Sequence, residues 1–121
     1  MKDFKEEMKE RTLNIATSTL QMVNVLPKSM NIQIIKRQLI RSVTSVGANY
    51  HAACRAKSEA DFIYKLHIVE EECDESIYWM ELLSRLNAGD STSFKFIKNE
   101  LHEILAIVIS SIRTIKEKSK K

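Results

Sequence analysis

The chain has 121 residues, a net charge of +3, two glycines, one proline and two cysteines. That is the size of one domain, with surface enough to bury a core unaided by disulfide or metal staples. It contains no apolar run of about 18 residues, which excludes a membrane-spanning helix, and Met1 to Arg11 is charged and lacks the apolar stretch of a signal peptide, which points to the cytoplasm.

With so little Gly and Pro, helices can run uninterrupted. On a wheel of about 100° per residue, the first helix spans about Phe4 to Leu26. Phe4, Met8, Ile15, Met22 and Leu26 form one row, flanked by Ala16, Leu20 and Val23, and Pro27 ends it by disfavouring helix in the residue before it. The second helix runs from about Ser29 to Arg55, with a stripe of Ile32, Ile35, Leu39, Val43, Val46, Tyr50 and Ala53. Gly47 sits at the edge of that stripe. A helical glycine costs about 1 kcal/mol relative to alanine, and close approach of a neighbouring helix would compensate. The third helix starts at Ser58, where Ser58-Glu59-Ala60-Asp61 resembles a capping box with Asp in place of Glu. It continues to about Leu86, and Asn87-Ala88-Gly89-Asp90 is a turn. The fourth runs from about Thr92 to Lys118. Its residues Phe94, Ile97, Leu101, Ile104, Leu105, Val108, Ile112 and Ile115 fall in one arc of roughly 100°. Lys118–Lys121 is expected to be a disordered basic tail.

Four helices of similar length with short connections predict an all-α, antiparallel up-down-up-down four-helix bundle spanning residues 1–121 as a single domain. The hairpin register separates Cys54 and Cys73 by about 22 Å along the axis at 1.5 Å per residue. A disulfide needs Cα atoms within about 7 Å, so free thiols are expected.

The third helix carries more apolar surface than one core needs. Phe62, Leu66, Val69, Cys73, Ile77 and Met80 make one stripe, and Tyr64, Ile68, Trp79, Leu82 and Leu86 make another. Phe96 and Ile107 on the fourth helix also stray from its core arc. A wide core could absorb both stripes. Alternatively these seven residues form a self-association face, since exposed patches rich in Trp and Tyr mark interfaces.

No catalytic constellation, cofactor motif or metal site is legible. The Glu-x-x-His repeats of metal-binding bundles are missing, and two glycines cannot make a phosphate loop. His67 and Glu71 are four apart and read as a surface ion pair. His102 reads as solvated, and Cys54 and Cys73 as buried small hydrophobes. Charge is unevenly spread: residues 28–57 carry six bases and no acid, and residues 58–90 nine acids against two bases. Arg37, Arg41 and Arg55 project from the outer face of the second helix, followed by Lys57. The three arginines could meet acids of a neighbouring subunit, such as Glu71 and Glu75. They could instead grip the phosphates of RNA or DNA, for which the arginine fork is suited. Pairing within one subunit looks strained, because the arginines point outward.

Several short pieces together carry a resemblance. They are Gln38-Leu39-Ile40-Arg41-Ser42, Val46-Gly47-Ala48-Asn49-Tyr50, Ala53-Cys54-Arg55-Ala56, Asp61-Phe62-Ile63, and Asp74-Glu75 followed by Tyr78-Trp79 and Leu82-Leu83. This set resembles the bacterial four-helix-bundle family named for proteins encoded within 23S ribosomal RNA intervening sequences. The resemblance implies an up-down-up-down bundle, a homo-oligomer in the form of a pentameric ring, and no catalytic activity or cofactor. A related branch is the accessory protein of diversity-generating retroelements, which binds a reverse transcriptase and nucleic acid through a strongly basic ring. The present chain is only mildly basic by comparison. Two functional expectations follow: an oligomer that contacts nucleic acid through Arg37, Arg41, Arg55 and Lys57, or a scaffold that presents a surface to a protein partner.

Overall fold

The structure, a computed structural model, describes residues 3–120. Four helices and no strands are found among them: α1 (Phe4–Val23), α2 (Met30–Ala53), α3 (Glu59–Arg85) and α4 (Ser91–Ser119). Each helix packs on its neighbours along the chain, α4 closes on α1, and the diagonal pairs make no close backbone contact. Connections of five or six residues hold neighbours antiparallel. The arrangement is the expected up-down-up-down bundle.

Local chemistry sets the ends. Asp3 accepts from the backbone N–H of Glu6 at 2.8 Å, and Asp90 from that of Ser93 at 3.1 Å, each satisfying a donor that the helix leaves open. Ser58 caps α3 by accepting from Asp61 N–H at 3.1 Å, while Asp61 reaches back to Lys57 N–H at 3.2 Å rather than to Ser58. The third helix ends in a Schellman motif: Ala88 N–H donates to the Leu83 carbonyl and Asn87 N–H to that of Ser84, both at 3.1 Å. Asn87 takes the left-handed conformation, φ 50°, that this motif needs. Gly89 is favoured for a different reason. A Cβ there would lie 2.9 Å from the Phe94 ring and 3.1 Å from Leu26.

Two expected boundaries shift. The first helix stops at Val23, and the chain turns through Asn24 and Val25 before Pro27, yet Leu26 still reaches the core. The last helix continues through Lys118 to Ser119, into the segment expected to be disordered. In its final turn the Ser119 hydroxyl lies within hydrogen-bond reach of two acceptors, the Ile115 carbonyl and the Glu59 carboxylate at the start of α3. Lys121 lies outside the described residues.

The apolar stripe of α2 and the arc of α4 face the core as expected. Phe4 of the α1 row and Leu20 on its flank are exposed instead; Phe4 is the first residue of α1, where the helix borders an open groove against α4. Four buried hydroxyls went unforeseen: Thr12, Thr19, Ser42 and Ser76. Thr12 and Thr19 donate to carbonyls of their own helix. Ser76 donates to Ser42 at 2.8 Å across the α2/α3 seam, where small side chains let the helices approach. Gly47 is matched to α1, since a Cβ there would stand 3.4 Å from the Thr12 carbonyl oxygen. The α1/α4 seam is the least extensive of the four. It is pinned by Arg11, whose guanidinium donates to both Glu100 oxygens at 2.8 and 2.6 Å and to Glu103 at 3.3 Å.

Candidate functional site

The titratable side chains do not converge. Among the described residues no three His, Cys, Asp or Glu side chains gather into a group that could hold a metal ion. His67 pairs with Glu70 at 3.4 Å, one turn along the helix, rather than with Glu71. His51 lies against the Lys9 carbonyl at 3.3 Å, and His102 is exposed. Both cysteines are free thiols. Burial pushes Cys73 up to about 12 and Cys54 above its ordinary value, so both stay protonated at neutral pH and are poor nucleophiles. No helix among the described residues is long and apolar enough to cross a membrane.

The four bases expected to act together do not form one patch. Arg37 projects from α2 itself, whereas Arg55 lies past the end of that helix at Ala53, in the turn that leads to α3. They and Lys57 are exposed, and their side chains make no ion pair with the described residues. Arg41 behaves otherwise and corrects the expectation that pairing within one subunit is strained. Its guanidinium donates to both oxygens of Glu72 at 3.1 Å and also pairs with Glu75. The long side chain leans sideways over the seam, so an outward Cβ still reaches α3. These hydrogen bonds raise the Arg41 pKa. Burial pushes the Glu72 carboxyl up, but hydrogen bonds from Arg41 and neighbouring groups outweigh it and leave Glu72 below the usual carboxylate range.

The expected apolar face divides in two. On α3, residues seven apart share a column, which sets Trp79 beside Glu72, Leu82 and Ile68 beside Glu75, and Leu86 beyond Trp79. Because Arg41 of α2 pairs with Glu72 and Glu75, this face is the outer side of the α2/α3 seam. Tyr64, at 65% exposure, and Ile68 lie towards one end, with Trp79, Leu82 and Leu86 towards the other. Trp79, Leu82 and Ile68 are half-buried. The Trp79 ring stacks edge-on against Tyr78 with centroids 5.0 Å apart, and its indole N–H is buried without an acceptor. Phe96 and Ile107 are elsewhere. Phe96 borders a cleft with Met22 of α1 and Val25 of the turn after it, and Ile107 one with Phe4, so both belong to the α1/α4 seam on the opposite side of the bundle.

Sequence reasoning missed one member of the α2/α3 face. Ile34 is 52% exposed and lies seven residues before Arg41, in the same column. The antiparallel register given by Arg41–Glu75 and Ser42–Ser76 sets it level with about residues 79–84. Its signal was an isoleucine outside the Ile32, Ile35 and Leu39 stripe.

Comparison with known proteins agrees with this geometry. The family model described as 23S rRNA-intervening sequence protein matches residues 5–110. A crystal structure of a protein of unknown function from the S23 ribosomal protein family of Bacteroides thetaiotaomicron is similar to the chain, with 34% identity and a TM-score of 0.82. The match covers 90% of this chain and 97% of that one. No curated protein matches. With the family model spanning most of the bundle, the chain belongs to the 23S rRNA-intervening sequence protein family.

Proposed function

We propose that the protein is a non-enzymatic interaction module that assembles with copies of itself through the outer α2/α3 seam. One observation carries this reading: half-buried Trp79 and Leu82 share one outer face with exposed Ile34 and Leu86. Aromatic anchors with apolar neighbours and few free charges are typical of interface centres. The Arg41, Glu72 and Glu75 cluster is ion-paired within the chain, but one guanidinium against two carboxylates leaves one negative charge, which a cation of the neighbouring copy would meet. A pentameric ring is the stoichiometry that the family resemblance favours. Light scattering tests the assembly. The wild type should have the mass of several chains, and Trp79→Glu should be helical but smaller. An unchanged mass in the variant overturns the assignment of the contact.

A second reading, contact with RNA or DNA, draws on the exposed Arg37, Arg55 and Lys57 along an acid-free stretch of chain. Arg41 is committed to α3 and contributes less than expected. The test is binding of the purified protein to a labelled structured RNA across a salt series, with Arg37→Glu/Arg55→Glu as comparison. Phosphate contact predicts a steep fall with salt and loss in the double variant. Absence of binding at low salt favours a scaffold for a protein partner, such as a reverse transcriptase.

A further inference from the structure

A groove opens where the start of α1 parts from the second half of α4. Its walls are Phe4 and Lys5 on one side and Ile107 and Ile115 on the other, with Phe62, Leu66 and Tyr50 below. Leu66 and Tyr50 are almost fully buried and Phe62, Ile107 and Ile115 are half-buried, so the floor is firm and apolar. The volume is about 520 Å³, within the range of roughly 300–1,000 Å³ typical of small-molecule sites. A subunit contact buries about 800 Å² per partner, far more than this narrow trough offers.

The rim carries one sign of charge. The Lys5 ammonium stands 5.0 Å from the centroid of the Phe62 ring and has no ion pair with the described residues. The neighbouring Lys9 is already taken by Glu6 at 2.9 Å. An apolar trough with an unneutralised cation at its mouth complements an apolar chain with an anionic head. We propose that this groove binds a linear aliphatic carboxylate. The chain lies along Phe62, Leu66, Ile107 and Ile115, and the head group meets Lys5. An adjoining lobe shares Lys5, Phe62 and Ile115 but also holds Glu59, whose carboxylate repels an anionic head and keeps it in the main groove, where, among the described residues, Lys5 is the one charged residue of the lining.

Calorimetric titration of the full-length protein with octanoate, decanoate and dodecanoate, below their micelle concentrations, tests the site. One carboxylate per chain is expected, with affinity rising about twofold to fourfold per added methylene. Lys5→Ala, at an exposed first-turn position, should weaken decanoate about threefold to fivefold and leave decanol unaffected. Ala106→Trp, on the exposed wall of the groove, should abolish binding at unchanged helicity. Absence of a chain-length trend, or full binding by Ala106→Trp, overturns the proposal. A lowered oligomer mass in Ala106→Trp, together with no carboxylate binding by the wild type, would assign the groove to a second copy of the chain and equally overturn it.

Discussion

Gly47 offers a sharp test of how closely α1 and α2 pack. Replacing glycine by alanine inside a helix contributes about 0.8–1 kcal/mol, and a methyl that meets protein rather than water adds up to about 0.8 kcal/mol. Against this stands the Thr12 backbone. The new Cβ would lie 3.4 Å from its carbonyl oxygen, 3.5 Å from its carbonyl carbon and 3.5 Å from its Oγ1, at the near edge of ordinary contact. Gly47→Ala should therefore be stabilising by about 0.5–1 kcal/mol, allowing for some crowding. Gly47→Val extends two methyls towards backbone that cannot yield without shifting α1, and should cost about 2 kcal/mol or more. Urea unfolding followed by circular dichroism, at one fixed protein concentration, gives both values from midpoints at constant slope. A loss above about 1 kcal/mol in Gly47→Ala would refute the reasoning. So would a neutral Gly47→Val, which would show that α1 can move aside freely.

Other expectations follow from burial and charge. Leu39 is fully buried at the centre of the α2 stripe, so Leu39→Ala should lose about 2–5 kcal/mol in the same unfolding assay. Glu72, Asp61, Glu81 and Asp90 all have pKa values below their ordinary ones when folded, so the unfolded chain binds more protons in acid. Stability from these groups should be fully present above pH 4.5, the higher of the ordinary values, and fall as pH drops through the depressed folded values. Thermal melts across that range check the sign. At the alkaline end, burial raises Tyr50 above 10.0 and both thiols above 9.0, so stability should decline as pH rises past those values. A thiol reagent should modify Cys54 slowly in the native protein and Cys73 only after unfolding, counted by mass spectrometry.

Helix periodicity made the bundle legible because α2 and α4 bury single clean stripes. The ends were less legible. Leu26 kept its place in the core although the helix had ended at Val23, since a turn can deliver a side chain as well as a helix can. The hydroxyls of Ser42 and Ser76 were invisible to a hydrophobic count, because their partners are each other and their own helix carbonyls. The surfaces were read only in part. A wheel reports which way a Cβ points, so it set Trp79 and Leu82 on one side of α3. It cannot say that the Arg41 side chain bends back to Glu72, nor on which side of the assembled bundle the strays of α4 emerge. Phe96 and Ile107 were therefore grouped with Trp79, although a seam on the far side holds them.

The central claim, that the outer α2/α3 seam is a contact between copies, is best tested through Trp79, because it is the chain's single tryptophan. Acrylamide quenching of its fluorescence should be compared between the wild type and Ile34→Glu, with mass measured by light scattering on the same samples. Ile34→Glu places a charge on the face without altering the fluorophore. The account predicts a multimeric wild type with a shielded indole, and a smaller, helical variant in which quenching rises. A monomeric wild type, or equal quenching and mass in the two proteins, would contradict it.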